Sequence, residues 1–89
     1  MNSIGLELLS HYHDIATIDL HCTSEIGEAL DQLDHELYVY VNRKERYCRV
    51  IYGIGSGRLR QAVLQLLAKN PMVRQWKEEA SGGSCVVEL

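Results

Sequence analysis

A chain of 89 residues, 46% hydrophobic and 24% charged, suffices for one globular domain with a modest core and is too short for two. No apolar run approaches the roughly 18–20 residues of a membrane span, and the opening stretch MNSIGLELLSHYHD has no lysine or arginine, so neither an anchor nor a signal peptide is expected. The net charge of −3 alone argues against a nucleic-acid partner. Its distribution argues the other way. Residues 1–42 hold eight acids and no lysine or arginine, whereas residues 43–77 hold all nine basic residues and one acid, Glu45. Such segregation builds a local positive face on an acidic protein, and local field governs anion capture. The plain alternative is a solvated basic surface paired with the acidic helix described below.

Residues 1–15 read as an N-terminal arm without clear periodicity. It carries His11 and His13 at i, i+2, a spacing that suits a metal pair but lacks further ligands at zinc-site intervals. The segment ATIDLHC follows as a strand. Ile18 and Leu20 point to one side and Asp19 and His21 to the other, by the two-residue period. Thr23 or Ser24 is placed to cap a helix over 25–42, with Glu25 and Glu28 near its positive end. Its apolar stripe is Ile26, Ala29, Leu30, Leu33, Leu37, Tyr40 and Val41, and His35 falls on its polar side.

RKER reads as a turn and YCRVIY, 47–52, as a second strand. The stretch GIGSG then feeds a second helix with the stripe Leu59, Ala62, Val63, Leu66 and Leu67, closed by Asn70 and Pro71. MVRQWKEE and SCVVEL are short strands joined by the turn ASGGS, and Trp76 is expected in the core. Cys22, Cys48 and Cys85 are odd in number and form no CxxC pair. They read as small buried hydrophobes in a reducing, cytoplasmic setting rather than as a disulfide framework.

The order β-α-β-α-β-β has a consequence. If the first two strands are parallel, their carboxyl ends share one edge of the sheet, where ligands of open α/β sheets bind. DLH would then meet the loop 53–57, although over thirty residues separate them. That loop is GxGxG, not GxGxxG, and it lacks a P-loop lysine, so no nucleotide cofactor is expected. What remains is a glycine turn opening a helix, with free N–H groups and a positive dipole end suited to a phosphate. Arg58 and Arg60 add charge, and arginine grips phosphate oxygens with paired bonds. Beside it, Asp19 would fix the tautomer of His21, a side chain that moves protons near neutral pH. The competing account makes the loop a ligand-free turn, Asp19 a helix cap and His21 a satisfied polar residue.

TIDLHC, the acidic helix, RVIYGIGSGRLRQAVLQLL and the terminal CVVEL together resemble the Smr (small MutS-related) domain over about residues 16–89. Asp19, Leu20 and His21 match its D-L-H-G motif. Gly53, Gly55, Gly57, Leu59, Arg60, Ala62 and Val63 match its H-G-x-G-x-G…L-R-x-A-V motif. The resemblance implies a single-domain, two-layer α/β sandwich with a mixed sheet, of the type seen in the C-terminal domain of bacterial translation initiation factor three. It implies nucleic-acid binding and often endonuclease activity, in members that nick DNA or cut messenger RNA on stalled ribosomes. DNA repair and RNA quality control are the corresponding roles. Carried over, Asp19 and His21 form the catalytic pair, while Tyr52, Gly53, Gly55, Ser56, Gly57, Arg58 and Arg60 contact the substrate backbone. The chain departs from the pattern at Cys22, where the family has Gly, and at Tyr52, where it often has His. Tyrosine can hydrogen-bond or stack on a base, but with a pKa near 10 it is a poor base at neutral pH.

Three functions follow. The first is a nuclease, metal-free if a ribose 2′-hydroxyl attacks, or using a divalent metal such as magnesium if water attacks DNA. The second is a nucleic-acid-binding module without catalysis, and the third a protein-interaction domain working through the acidic helix. No ATPase or helical-repeat domain of the kind that often accompanies this module is expected within these 89 residues. Targeting would then come from a larger partner, such as a ribosome, or from residues 1–15.

Overall fold

The computed structural model describes residues 15–23 and 25–89. The expected arm with His11 and His13, up to residue 14, and the cap candidate Ser24 lie outside the described residues. The elements follow the expected order: β1 (Ala16–Asp19), α1 (Ile26–Asn42), β2 (Tyr47–Ile51), α2 (Arg58–Lys69), β3 (Gln75–Glu78) and β4 (Ser84–Glu88). No helix among the described residues is long and apolar enough to cross a membrane.

The four strands form one mixed sheet in the order β1-β2-β4-β3. β1 and β2 are parallel with α1 as their crossover, and Ile18 faces Val50 in the register. β4 runs antiparallel to both β2 and β3. The β3–β4 hairpin closes through Gly82, whose φ of +81° a side chain would resist. β2 ends one residue earlier than the sequence suggests: the Tyr52 N–H still meets the Gly83 carbonyl in register, at 3.0 Å, but the Gly53 N–H turns to the same carbonyl at 2.9 Å and the ladder stops there.

The two-residue period decides what is buried. Ile18, Cys48, Val50, Cys85 and Val87 share one sheet face and pack against Ala29, Leu33 and Leu37 of α1 and Val63 and Leu67 of α2. Each valine, leucine or isoleucine among them contributes about 1.5–3 kcal/mol by leaving water. Trp76 packs against this core as expected. All five residues of β4 are buried, since it lies between two strands.

Two expectations about α1 are corrected. Its N-cap is Glu25, without a side-chain capping bond, and Thr23 instead reaches Gln32 through its hydroxyl at 3.4 Å. Ile26, counted in the buried stripe, is 40% exposed, because it lines the open cleft described next rather than the core.

Candidate nucleic-acid site

The parallel pairing places the ends of β1 and β2 side by side, and the Leu20 N–H extends the pairing to the Ile51 carbonyl at 2.8 Å. Asp19 and His21 share the parity opposite to Ile18 and Leu20, so both escape the core. The Asp19 carboxylate accepts the His21 backbone N–H at 3.1 Å and is also hydrogen-bonded to His21 Nδ1. The side-chain bond to His21 foremost holds the Asp19 carboxyl below the usual carboxylate range; burial opposes it, and the backbone bond adds a lesser lowering. Asp19 is therefore an orienting partner of His21 and not a helix cap. In the neutral ring the proton sits on Nδ1, leaving the Nε2 lone pair outward.

Cys22 corrects the expectation that all three cysteines are buried. The chain turns away from the sheet after Leu20, so Cys22 is exposed, with its Sγ 3.2 Å from His21 Nε2. Cys48 and Cys85 lie on the inner sheet face as expected. Burial pushes the Cys48 thiol up to about 12 and raises that of Cys85 further.

A cleft of about 350 Å³ opens beside His21. His21, Tyr52, residues 53–57, Arg58 and Arg60 line it, so the fold gathers in one place nearly all the residues singled out from the two motifs. Asp19 does not line it and reaches it only through His21. His21 also borders a hollow of about 490 Å³ on the opposite, helix-free side, with Asp19, Ile51 and Ile54.

The glycines have separate reasons. Gly53, Gly55 and Gly57 all have positive φ, at +78°, +48° and +84°. At Gly53 there is also a close approach, since a Cβ there would meet His21 Cβ at 3.2 Å. Gly57 is the N-cap of α2 and offers no side chain to the helix. The Arg58 N–H meets the Ser56 hydroxyl at 3.3 Å, and the first intrahelical bond runs from the Gln61 N–H to the Gly57 carbonyl. The N–H groups of Leu59 and Arg60 thus precede the helical ladder, at the positive end of α2.

Tyr52 departs most from expectation. It keeps the inward parity of Cys48 and Val50 and is only 4% exposed, so its ring is not free to stack on a base. Its hydroxyl proton is shared between Glu78 Oε1 at 2.9 Å and the Ser84 carbonyl at 3.1 Å. Burial first, and the Glu78 contact second, raise its pKa well above that of a free tyrosine. Glu78 was not singled out from the sequence. It receives Arg60 through two bonds, Nε to Oε1 at 2.6 Å and Nη2 to Oε2 at 2.7 Å. Arg49 similarly pairs with Glu79 at 2.7 Å. These arginines meet the end of the β3 segment rather than the acidic helix. Among the described residues the Arg58 guanidinium has no partner, and no group of three or more histidines, cysteines and acids is placed to hold a metal ion.

Comparisons with known proteins bear on the family and the fold. The Smr domain family model matches residues 18–89. The endonuclease MutS2 of Thermomicrobium roseum is 40% identical over 52 residues, which is 58% of this chain but 7% of that protein's length. The crystal structure of the Smr domain of Thermus thermophilus MutS2 superposes with a TM-score of 0.77 at 27% identity, covering 83% of this chain and 96% of that one. With its two motifs folded into one cleft and most of its length matched, the chain belongs to the Smr domain family.

Proposed function

We propose that the domain holds a nucleic-acid backbone phosphate at the 53–60 loop and cleaves the adjoining phosphodiester bond, with His21 as proton carrier and Asp19 as the group that orients it. The observation that carries this reading is the placement of His21, its Nδ1 tied to Asp19, on the same cleft as the N-terminus of α2. The Nε2 lone pair can take a proton from an attacking oxygen once the Cys22 thiol swings aside. Charge developing on the phosphoryl oxygens meets the free N–H groups of α2 and the Arg58 guanidinium, which favour it more as it grows. The attacking oxygen is a ribose 2′-hydroxyl if the strand is RNA, and a water if it is DNA; in either case the bond from phosphorus to the leaving ribose oxygen breaks, and that oxygen takes a proton from solvent water. The endonuclease name of the T. roseum relative supports the reaction class.

One observation favours the second reading, a holding module. Tyr52 stands where the family often has histidine, and its hydroxyl is buried and already donated. A second proton carrier is missing from that position.

Cleavage of end-labelled single-stranded RNA, duplex DNA and supercoiled plasmid, with magnesium or chelator, separates the two. Cutting that His21→Ala abolishes and Asp19→Asn lowers roughly 100-fold or more establishes the nuclease. No cutting, with binding that weakens on raising salt and on Arg58→Ala, establishes the module. No binding at low salt overturns both readings.

A further inference from the structure

Arg60 lines the cleft, yet its guanidinium is already engaged along one edge. Glu78 takes its Nε and Nη2 hydrogens in a bidentate pair, and Tyr52 adds a third bond to the same carboxylate. The register explains the meeting. Glu78 stands opposite Cys85 on the inward face of the edge strand β3, and that row continues through Val50 to Ile18. Its side chain therefore points toward the helix layer, where α2 begins with Arg58 and Arg60. Arg60 and Tyr52 both hold Glu78 in its ionised form.

We propose that Glu78 is a built-in counter-ion that competes with a backbone phosphate for Arg60 and so sets the affinity of the cleft. This inference rests on the phosphate-binding reading above. A phosphate approaching the loop meets the free charge of Arg58 but a neutralised pair at Arg60. To use Arg60 fully it must draw the guanidinium away from Glu78, which Tyr52 keeps in place. The pair is about one-third to two-fifths exposed, with Arg60 at 43% and Glu78 at 34%, so the exchange happens within reach of solvent and ligand.

The test is Glu78→Gln. The amide keeps the shape and still accepts the Tyr52 hydroxyl through its oxygen, but it removes the charge. Binding is read by fluorescence anisotropy, on a short labelled single strand with fully 2′-O-methylated sugars and on a short DNA duplex. Glu78→Gln is expected to tighten binding roughly threefold or more at low salt and to steepen the log–log salt dependence by about 0.7 for the single strand, the value for one more neutralised phosphate. In an Arg60→Ala background the same substitution should change little. Unchanged or weaker binding by Glu78→Gln overturns the proposal, as does equal tightening without Arg60. If the wild type binds but the variant does not differ, this inference alone fails. If neither binds, the phosphate-binding reading fails with it. A measurement on the unaltered protein stands beside the variant. The Arg60 Nε–H resonance and the Glu78 side-chain carboxyl carbon should both shift when the single strand is added, and silence of both overturns the exchange.

Discussion

Replacing Gly53 with alanine tests how the loop and His21 are coupled, and Gly55→Ala supplies the control. Both glycines have positive φ, +78° and +48°, so an alanine at either pays for a left-handed conformation, about 1–2 kcal/mol. Only at Gly53 does the new Cβ meet a neighbour, His21 Cβ at 3.2 Å, while at Gly55 nothing lies within 4 Å. That neighbour is not the far end of a flexible chain. Its Cβ is fixed to the backbone just beyond β1, so relief requires moving the chain that carries the imidazole. Overpacking of this kind adds about 1 kcal/mol or more. Urea unfolding should therefore show Gly53→Ala about 2–3 kcal/mol less stable than wild type and Gly55→Ala about 1–2. The functional difference should be larger, because displacing a reacting group by about 1 Å can cost up to about 100-fold in rate. Cleavage should fall much more for Gly53→Ala than for Gly55→Ala, with similar phosphate affinity in both. Equal stability losses and equal rates would refute the coupling and leave Gly53 as a turn residue only.

The remaining predictions concern the groups around that contact. Asp19→Asn should keep binding but lower cleavage by roughly 100-fold or more, since it leaves the His21 tautomer unfixed, as single-turnover rates would reveal. Asp19 and Glu78 both have folded pKa values below their ordinary 3.8 and 4.5, so each contributes stability that is present above those values and lost as pH falls through the lowered ones. Stability from urea melts should thus decline below about pH 5, and Glu78→Gln should flatten part of that decline. In the native protein a thiol reagent should label Cys22 quickly, and Cys48 and Cys85 only on unfolding. Mass spectrometry of labelled peptides checks this, and early labelling of Cys48 would contradict its burial.

The legible parts of the fold were those written in local periods. Alternation in ATIDLHC separated Ile18 and Leu20 from Asp19 and His21, and the crossover order brought DLH to the glycine loop. The same rule would have placed Tyr52 correctly. It lies two residues beyond Val50 and four beyond Cys48, so it inherits their inward direction, but its apparent membership of the loop motif concealed that. Glu78 shares the inward parity of Trp76, two residues before it, but that period says nothing of which partner it meets. It meets Arg60 because β4 inserts between β2 and β3 and turns the inward side of β3 toward α2, a consequence of strand order rather than of spacing. Cys22 departs from its expected burial for the opposite reason. The strand alternation stops at Leu20, and a residue in the turn beyond it follows no face.

The basic segment between residues 43 and 77 overstates the positive charge available at the cleft. Arg49 and Arg60 are answered by Glu79 and Glu78, just past the end of that segment. On the proposed reading, what faces a phosphate freely is the N-terminus of α2 with Arg58, and then Arg60 to the extent that Glu78 yields it. By the same reading a chain with a net charge of −3 can still present an anion site, since the field at the loop comes from groups within a few ångströms rather than from the total. It also limits what the loop can do. Backbone N–H groups and guanidinium edges fix the position of a phosphate but carry no information about the base attached to it. On the proposed reading, the cleft places a bond beside His21, and the choice of which strand arrives there is made by surfaces other than the loop.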